Sequence, residues 1–370
     1  MTINTINTPT SHLPLSSHNH QPAAHARRCG QPFIQPLREF AMKRSVTLSI
    51  AILFFTYSSF AEKQVIGSFP QMDGGFEDQA AGTFATQSSI ASGSQYTYWT
   101  KSAGTASTTA SGGRSGPKYV TLQATAATRF QSPTCANGAI VNATSYVQQY
   151  YYRTAGATAP AAVGQAGHSP DGTLQPGSYA ANNLSGTSGV WTKKTVAQTS
   201  GTSAASPKYG IGIIRCSASS TIAFDVDDFV VYAGSAADTT APNPPTSFLG
   251  TPLDTSADVS WTAPSGGVDG GGYVAVRGTA DPTTVPNANG IYAVGNTIGA
   301  GTVVYIGTAT SCEDQDLSPN TPYYYRIYAV DKAFNYSTAL TGSITTTPEP
   351  GACMLAGLLL VGLRSLKLKV

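Results

Sequence analysis

Few side chains in this sequence could carry covalent chemistry, and they are not grouped for it. Beyond residue 61 the one histidine is His168, in Gly167-His168-Ser169-Pro170; His12, His18, His20 and His25 all come earlier. The His168 segment reads as a loop, and no nucleophile elbow or catalytic-cysteine pattern accompanies it. No Gly-rich phosphate loop follows a strand and opens a helix, and no Cys/His set has zinc spacing. A glycosidase needs only two carboxylates, and acids cluster at Asp225–Asp228 and Glu313–Asp316. Sugar recognition asks for something else: aromatic faces that stack on the apolar side of a pyranose, beside amides or a guanidinium that bond its hydroxyls. The segment 145–153 has both. Tyr146, Gln148, Tyr150 and Tyr152 form one face, and Val147, Gln149, Tyr151 and Arg153 the other. One of the two is expected to be core. Trp99, Gln149, Tyr151 and Arg153 are therefore the candidate ligand contacts, with Tyr96 and Tyr98 beside Trp99.

The elements that must position these residues are strands. Charged residues make up 11% of the 370, while Gly, Ser, Thr and Ala are abundant, which suits short strands and many turns. The chain is long enough for two or three domains. Its formal charge of +2 is set by the ends: between Glu62 and Thr347 there are 13 basic residues against 17 acidic ones. A mildly acidic body carries no nucleic-acid footprint, so no nucleic-acid partner is expected.

The ends read as addresses. Lys43 and Arg44 precede an apolar run from Val46 to Tyr57, and Ser59-Phe60-Ala61 supplies small residues for cleavage after Ala61. Residues 42–61 are thus a signal peptide with Met42 as the expected start, and 1–41 a polar extension without periodicity. At the other end Pro348, Glu349 and Pro350 precede an uncharged run, Gly351–Leu363, which contains Cys353 and is followed by Arg364, Lys367 and Lys369. Residues 348–370 resemble the PEP-CTERM sorting signal, which implies recognition by an exosortase-type membrane enzyme. It also implies a hydrophobic C-terminal helix that holds the chain in the membrane. The body is expected outside the cell, at the surface or in the extracellular matrix.

Residues 241–347 open on Ala241-Pro242-Asn243-Pro244-Pro245, an extended entry, and continue with alternating segments at Ala257–Thr262 and Gly272–Arg277. Leu317-Ser318-Pro319-Asn320-Thr321-Pro322-Tyr323 then precedes a strand in which Tyr323, Tyr325, Ile327 and Ala329 share one face. This stretch resembles a fibronectin type III domain, a β-sandwich of the immunoglobulin type. The resemblance implies a tyrosine corner at Tyr323, its hydroxyl bonded to backbone upstream. The loop between Gly278 and Gly301 is longer and rich in Gly and Pro.

Residues 66–234, joined to that module by a linker at 235–240, carry a series of weaker motifs in order. Asp73-Gly74-Gly75-Phe76-Glu77 stands near the start and Trp99 follows. Gly112–Leu122 forms a Gly-rich turn and strand, Trp191 begins another strand, and Phe224-Asp225-Val226-Asp227-Asp228 begins the last. The series resembles galactose-binding-like jelly rolls, including carbohydrate-binding modules. That resemblance implies an oxygen-ligated structural Ca²⁺ joining the first and last strands, with Glu77, Asp78, Asp225 and Asp227 as candidates. Export favours disulfides, and a Cys135–Cys216 bridge is expected, leaving Cys312 unpaired. The fold class is therefore all-β, a jelly roll followed by a fibronectin-like sandwich. Three functions stay open: a non-catalytic glycan- or matrix-binding protein with the second module as spacer, a glycoside hydrolase built on the jelly roll, and an extracellular scaffold.

Overall fold

Alternating runs of five to ten residues, cut by Gly, Pro, Ser and Asn, can bury an apolar face only by pairing into sheets. The computed structural model describes residues 73–86, 99–124, 128–132, 140–160, 163–169, 180–181, 183–202, 211–216 and 220–348. The signal segment with Ala61, and the tail from Glu349 through Pro350 to Val370, lie outside them, as do Tyr96, Tyr98 and Cys135. Among the described residues the single helical element is a 3-10 turn, Asp73–Gly75, and no helix is long and apolar enough to cross a membrane. The rest of the regular structure is strand, so the fold is all-β.

The first sandwich has twelve strands: β1 (Gly82–Thr83), β2 (Ala85–Thr86), β3 (Thr100–Lys101), β4 (Thr105–Thr109), β5 (Tyr119–Gln123), β6 (Thr128–Gln131), β7 (Ser145–Arg153), β8 (Val163–Ser169), β9 (Ala180–Ala181), β10 (Thr192–Thr199), β11 (Ile211–Cys216) and β12 (Phe224–Ala233). They form two six-stranded sheets, β1-β4-β5-β12-β7-β10 and β2-β3-β6-β11-β8-β9. From β5 onward the chain passes repeatedly between the two, as in a jelly roll. Phe76, Trp99, Tyr150 and Phe229 meet between the sheets, with Trp99 4.8 Å from Phe76 and edge-on to Phe229 at 5.1 Å. Two tyrosine hydroxyls buried there accept backbone N–H groups, Tyr146 from Val141 and Tyr152 from Ser185.

Strand β12 does not alternate to its end. Its pairing with β7 slips between Asp227 and Val230, and Asp228 takes a positive φ of 51°. The bulge adds one residue, so Phe229 and Val231 face the core while Val230 and Tyr232 join Asp227 on the outer side. Gly74 packs against this bulge: a Cβ there would run into the Phe229 carbonyl and the Ile291 side chain. The Gly-Gly of the opening motif is thus a close-approach requirement.

The second sandwich comprises β13 (Thr246–Pro252), β14 (Ala257–Thr262), β15 (Gly272–Gly278), β16 (Thr297–Ile298), β17 (Gly301–Gly307), β18 (Ser311–Asp314), β19 (Pro322–Val330) and β20 (Leu340–Thr345). The sheets are β13-β14-β18 and β16-β17-β15-β19-β20. Val259, Trp261, Tyr273, Tyr325, Ile327 and Ala329 fill the space between them. The tyrosine corner is formed: the Tyr323 hydroxyl accepts the Ser318 N–H at 2.8 Å.

The two sandwiches are not beads on a string. Val147, Val230 and Tyr232 from the outer face of the first belong to one buried cluster with Val274, Val276, Ile291, Tyr328 and Val330 of the second. The connection is tied down as well, with the Asp238 N–H on the Tyr232 hydroxyl and the Asp238 carbonyl accepting from Asn335. One consequence corrects the expectation for β7: both of its faces are buried, one by its own sandwich and one by the next, and only Ser145 and Arg153 at its ends keep some exposure. Alternation shows that the strand has two unlike faces; it cannot show that each has a partner.

Candidate functional site

The outer face of the first sheet carries two adjacent rows of side chains with the same chemistry. In one, Tyr151 on β7 stands between Asp227 on β12 and Lys193 on β10. In the next, Arg153 stands beside Asp225, which is opposite Thr121 on β5. The rows are two residues apart along each strand, about 7 Å.

The first row is covered. The segment Asn287–Ile291, within the long loop between β15 and β16, lies across it. Arg114, from the Gly-rich turn before β5, stacks over the Tyr151 ring with its guanidinium carbon 3.3 Å from the centroid. Its Nη1 donates to Asp228 Oδ2 at 2.6 Å and its Nη2 to the Ala288 carbonyl at 2.7 Å. Tyr151 Oη donates to the same carbonyl, and Lys193 Nζ donates to Asn289 Oδ1 at 2.9 Å. Asp228 also accepts the Ser115 hydroxyl and the Ile291 N–H. Gln149 reaches the Ala333 carbonyl through Nε2, leaving its Oε1 buried without a partner.

Two neighbouring carboxylates are enclosed here. Asp227 and Asp228 are each 0% exposed. Asp227 accepts the N–H groups of Arg114 and Asp228 at 2.6 and 2.7 Å. Burial is the main force raising its pKa, and the Asp228 charge raises it further. Burial also raises Asp228, opposed by the Arg114 charge and hydrogen bonds. Lys193 is lowered by burial and by Arg114. These groups are engaged in holding two backbones together, with no room left for substrate.

The second row is open. Arg153 lies between two rings, its guanidinium carbon 4.4 Å from the Trp191 centroid and 4.8 Å from that of Tyr119, and the rings meet edge-on at 6.0 Å. Arg153 Nε donates to Asp225 Oδ2 at 2.8 Å, and the Thr121 hydroxyl donates to Oδ1 at 2.7 Å. The side chains of Arg153 and Asp225 keep 24% and 20% exposure. This is a fixed, planar hydrogen-bonding group framed by aromatic surface on a sheet face that water reaches.

Of the expected ligand contacts, the structure keeps Arg153 at an accessible position. Trp99 and Gln149 are buried, and Tyr151 is sealed by Arg114 and the loop. Pattern does not mark Tyr119, Trp191 and Arg114 as contacts. They lie at strand starts and in a turn, where alternation gives no facing.

Among the calcium candidates, Glu77 stands close enough to Asp227 for its charge to raise the Asp227 pKa. Asp225 pairs with Arg153, Asp78 is exposed, and Asp227 is enclosed with Asp228. Glu77 accepts the Lys118 N–H and a bond from Asn296 of the second sandwich. Burial raises the Glu77 pKa, which that N–H partly offsets. The Lys118 ammonium donates to the carbonyls of Glu77 and Gln79 at 2.6 and 3.0 Å, supplying positive charge where the chain enters the sandwich. Among the described residues no three acidic, His or Cys side chains are placed to share a metal ion. Cys216 is a buried free thiol, its pKa pushed up to about 12 by burial, and its expected disulfide partner Cys135 lies outside the described residues.

No protein-family model matches the sequence, and neither does any curated protein. Among solved structures, a β-1,2-glucanase from Parabacteroides distasonis is similar at 15% identity and a TM-score of 0.44, over 74% of this chain and 40% of that one. The glycoside hydrolase domain of Endo-D from Streptococcus pneumoniae R6 is similar at 11% identity and a TM-score of 0.38, over 69% and 39%. The sixth fibronectin type III domain of human fibronectin type III domain containing protein 3 is similar at 25% identity and a TM-score of 0.24, covering 32% of this chain and 96% of its own. This chain thus spans about two fifths of the two bacterial proteins. The solved structures to which it is similar include a fibronectin type III domain, a β-1,2-glucanase and a glycoside hydrolase domain.

Proposed function

We propose that this chain is an exported, non-catalytic surface protein that binds a glycan on the open row of its first sandwich. The observation that carries the reading is Arg153, held by Asp225 between the rings of Tyr119 and Trp191. The rings supply apolar surface for pyranose stacking, and the guanidinium and Thr121 supply hydroxyl contacts. Because Asp225 compensates the Arg153 charge, the site suits a neutral polymer. The second sandwich serves as a buttress rather than a swinging spacer. The leader and the PEP-CTERM-like tail support export, membrane attachment and handling by an exosortase-type enzyme.

Absence of turnover is part of the proposal. The adjacent carboxylates most suggestive of glycosidase chemistry, Asp227 and Asp228, are buried and hydrogen-bonded. Affinity electrophoresis of the full chain through gels containing neutral polysaccharides tests the reading. Retardation by at least one polymer that disappears in both Trp191→Ala and Tyr119→Ala, without release of reducing ends, is expected. No retardation in any gel would overturn binding. Reducing-end release lost in Glu77→Gln or Asp225→Asn would turn the assignment to hydrolysis.

A further inference from the structure

The loop that covers the first row also lines a cavity. It is walled by three separate stretches: the connection at Thr239–Ala241, the loop at Val285–Asn289, and Asn335–Thr341, with Arg326 and Tyr328 of β19 between them. Its volume is about 570 Å³, within the range of small-molecule sites and enough for one or two sugar rings.

The chemistry of the lining narrows the ligand. The charged side chain that contributes to it, Arg326, is held by Asp281 through two bonds of 2.8 and 2.9 Å. No net charge is left for an ionic ligand to answer. The Tyr328 and Tyr336 rings meet at 85°, with centroids 6.1 Å apart, and give an apolar corner. Around it stand hydroxyl- and amide-bearing residues, Thr239, Asn289, Thr338 and Thr341 among them.

The wall is set in advance. Tyr336 Oη donates to the Gly290 carbonyl at 2.7 Å, and Asn289 Nδ2 donates to the Ala333 carbonyl and to Asn335 Oδ1. The Tyr328 hydroxyl, by contrast, is buried without a geometrically complete hydrogen bond, while the guanidinium beside it is turned to Asp281. Val285 on the rim is 65% exposed, although its loop is pinned from the opposite side through Ala288. A cavity with a rigid aromatic corner, neutral polar walls and an apolar rim fits an uncharged, hydroxylated ring.

We infer that this cavity is a second binding site, for a short neutral saccharide, formed jointly by the inter-sandwich connection, the 279–300 loop and the β19–β20 turn. It is distinct from the Arg153 row, since Tyr119, Thr121, Arg153, Trp191 and Asp225 contribute nothing to its lining.

The test is calorimetric titration of the full chain with glucose, N-acetylglucosamine and cellobiose in turn. Saturable binding of at least one is expected. It should be abolished by Ala339→Trp, which fills the cavity, and unchanged in Trp191→Ala. Should Ala339→Trp unfold, Val285→Trp at the exposed rim gives the same obstruction without touching packed residues. No saturable heat with any of the three sugars overturns the inference. So does binding that survives the folded obstructing variant, or binding lost in Trp191→Ala, which would assign the sugar to the sheet row.

Discussion

Two neighbouring rows on one sheet face have nearly the same side-chain chemistry and opposite fates. In the covered row Arg114 stacks on Tyr151 and pairs with Asp228, at 12% and 0% side-chain exposure. In the open row Arg153 packs between Tyr119 and Trp191 and pairs with Asp225, at 24% and 20%. Arginine over an aromatic ring with a carboxylate partner is a recognition device in either setting. What it recognises depends on what lies above it. Over the Arg114–Asp228 pair the chain supplies its own ligand, the Ala288 carbonyl for Arg114 and the Ile291 N–H for Asp228. Over Arg153 none of the described residues takes that place.

The sharpest way to break this contrast is to remove each arginine. Arg114→Ala leaves Asp228 buried without its counter-charge, and should cost about 4 kcal/mol in urea unfolding of the full chain. A loss near zero would mean that the covered row is not a lock. Truncating the loop side of the same contact, Ile291→Ala, should cost about 3 kcal/mol, because Ile291 fills the shared cluster at 3% exposure. Hydrogen exchange along Asn287–Ile291 should rise with it.

A smaller effect is expected from pH. The native pKa values of Asp227 and Asp228 are raised above those of free carboxylates, by burial first. The native protein therefore binds protons at pH values where the unfolded chain has released them. Their contribution to stability is full at acid pH and is lost as pH rises through the native values. In Asp227→Asn the difference in unfolding free energy between about pH 5 and pH 8 should shrink, a tenfold change in proton affinity on folding being worth about 1.4 kcal/mol. The absolute stability of this variant also falls, since an asparagine amide faces one of the two N–H donors. The pH slope is the diagnostic, and an unchanged slope would remove Asp227 from the titrating set.

The smallest stability change belongs to the open row. Arg153→Ala should cost about 1 kcal/mol or less, as expected for a partly exposed pair, yet abolish retardation in polysaccharide gels. Large destabilisation with unchanged binding would reverse the roles given to the two rows.

How much of this could be read from the chain depends on the kind of residue. The tyrosine corner was legible because Leu317 to Tyr323 specifies a local turn, and Ser318 and Tyr323 are five residues apart. The jelly-roll ends were legible only through the resemblance their motifs carry, because the contact that requires Gly74, with the Phe229 carbonyl, spans 155 residues. The covered site was not. Arg114 is 113 residues from Asp227, whose carboxylate accepts its backbone N–H, and 174 from the carbonyl its side chain caps. The one available sign was the excess length of the loop after Gly278, which pattern could mark but not place. Trp99, Gln149 and Tyr151 read as ligand contacts because their residue types suit a sugar as well as they suit a protein interior.

By itself the sequence determined the sheets, the order of two sandwiches, and which residues of β7 share a face, because period-two alternation and turn chemistry act within a few residues. The tertiary structure decided that neither of those faces is left to water except at the ends of the strand. That outcome rests on burying Val147, Val230 and Tyr232 against a second module, a gain in apolar contact that no local pattern encodes.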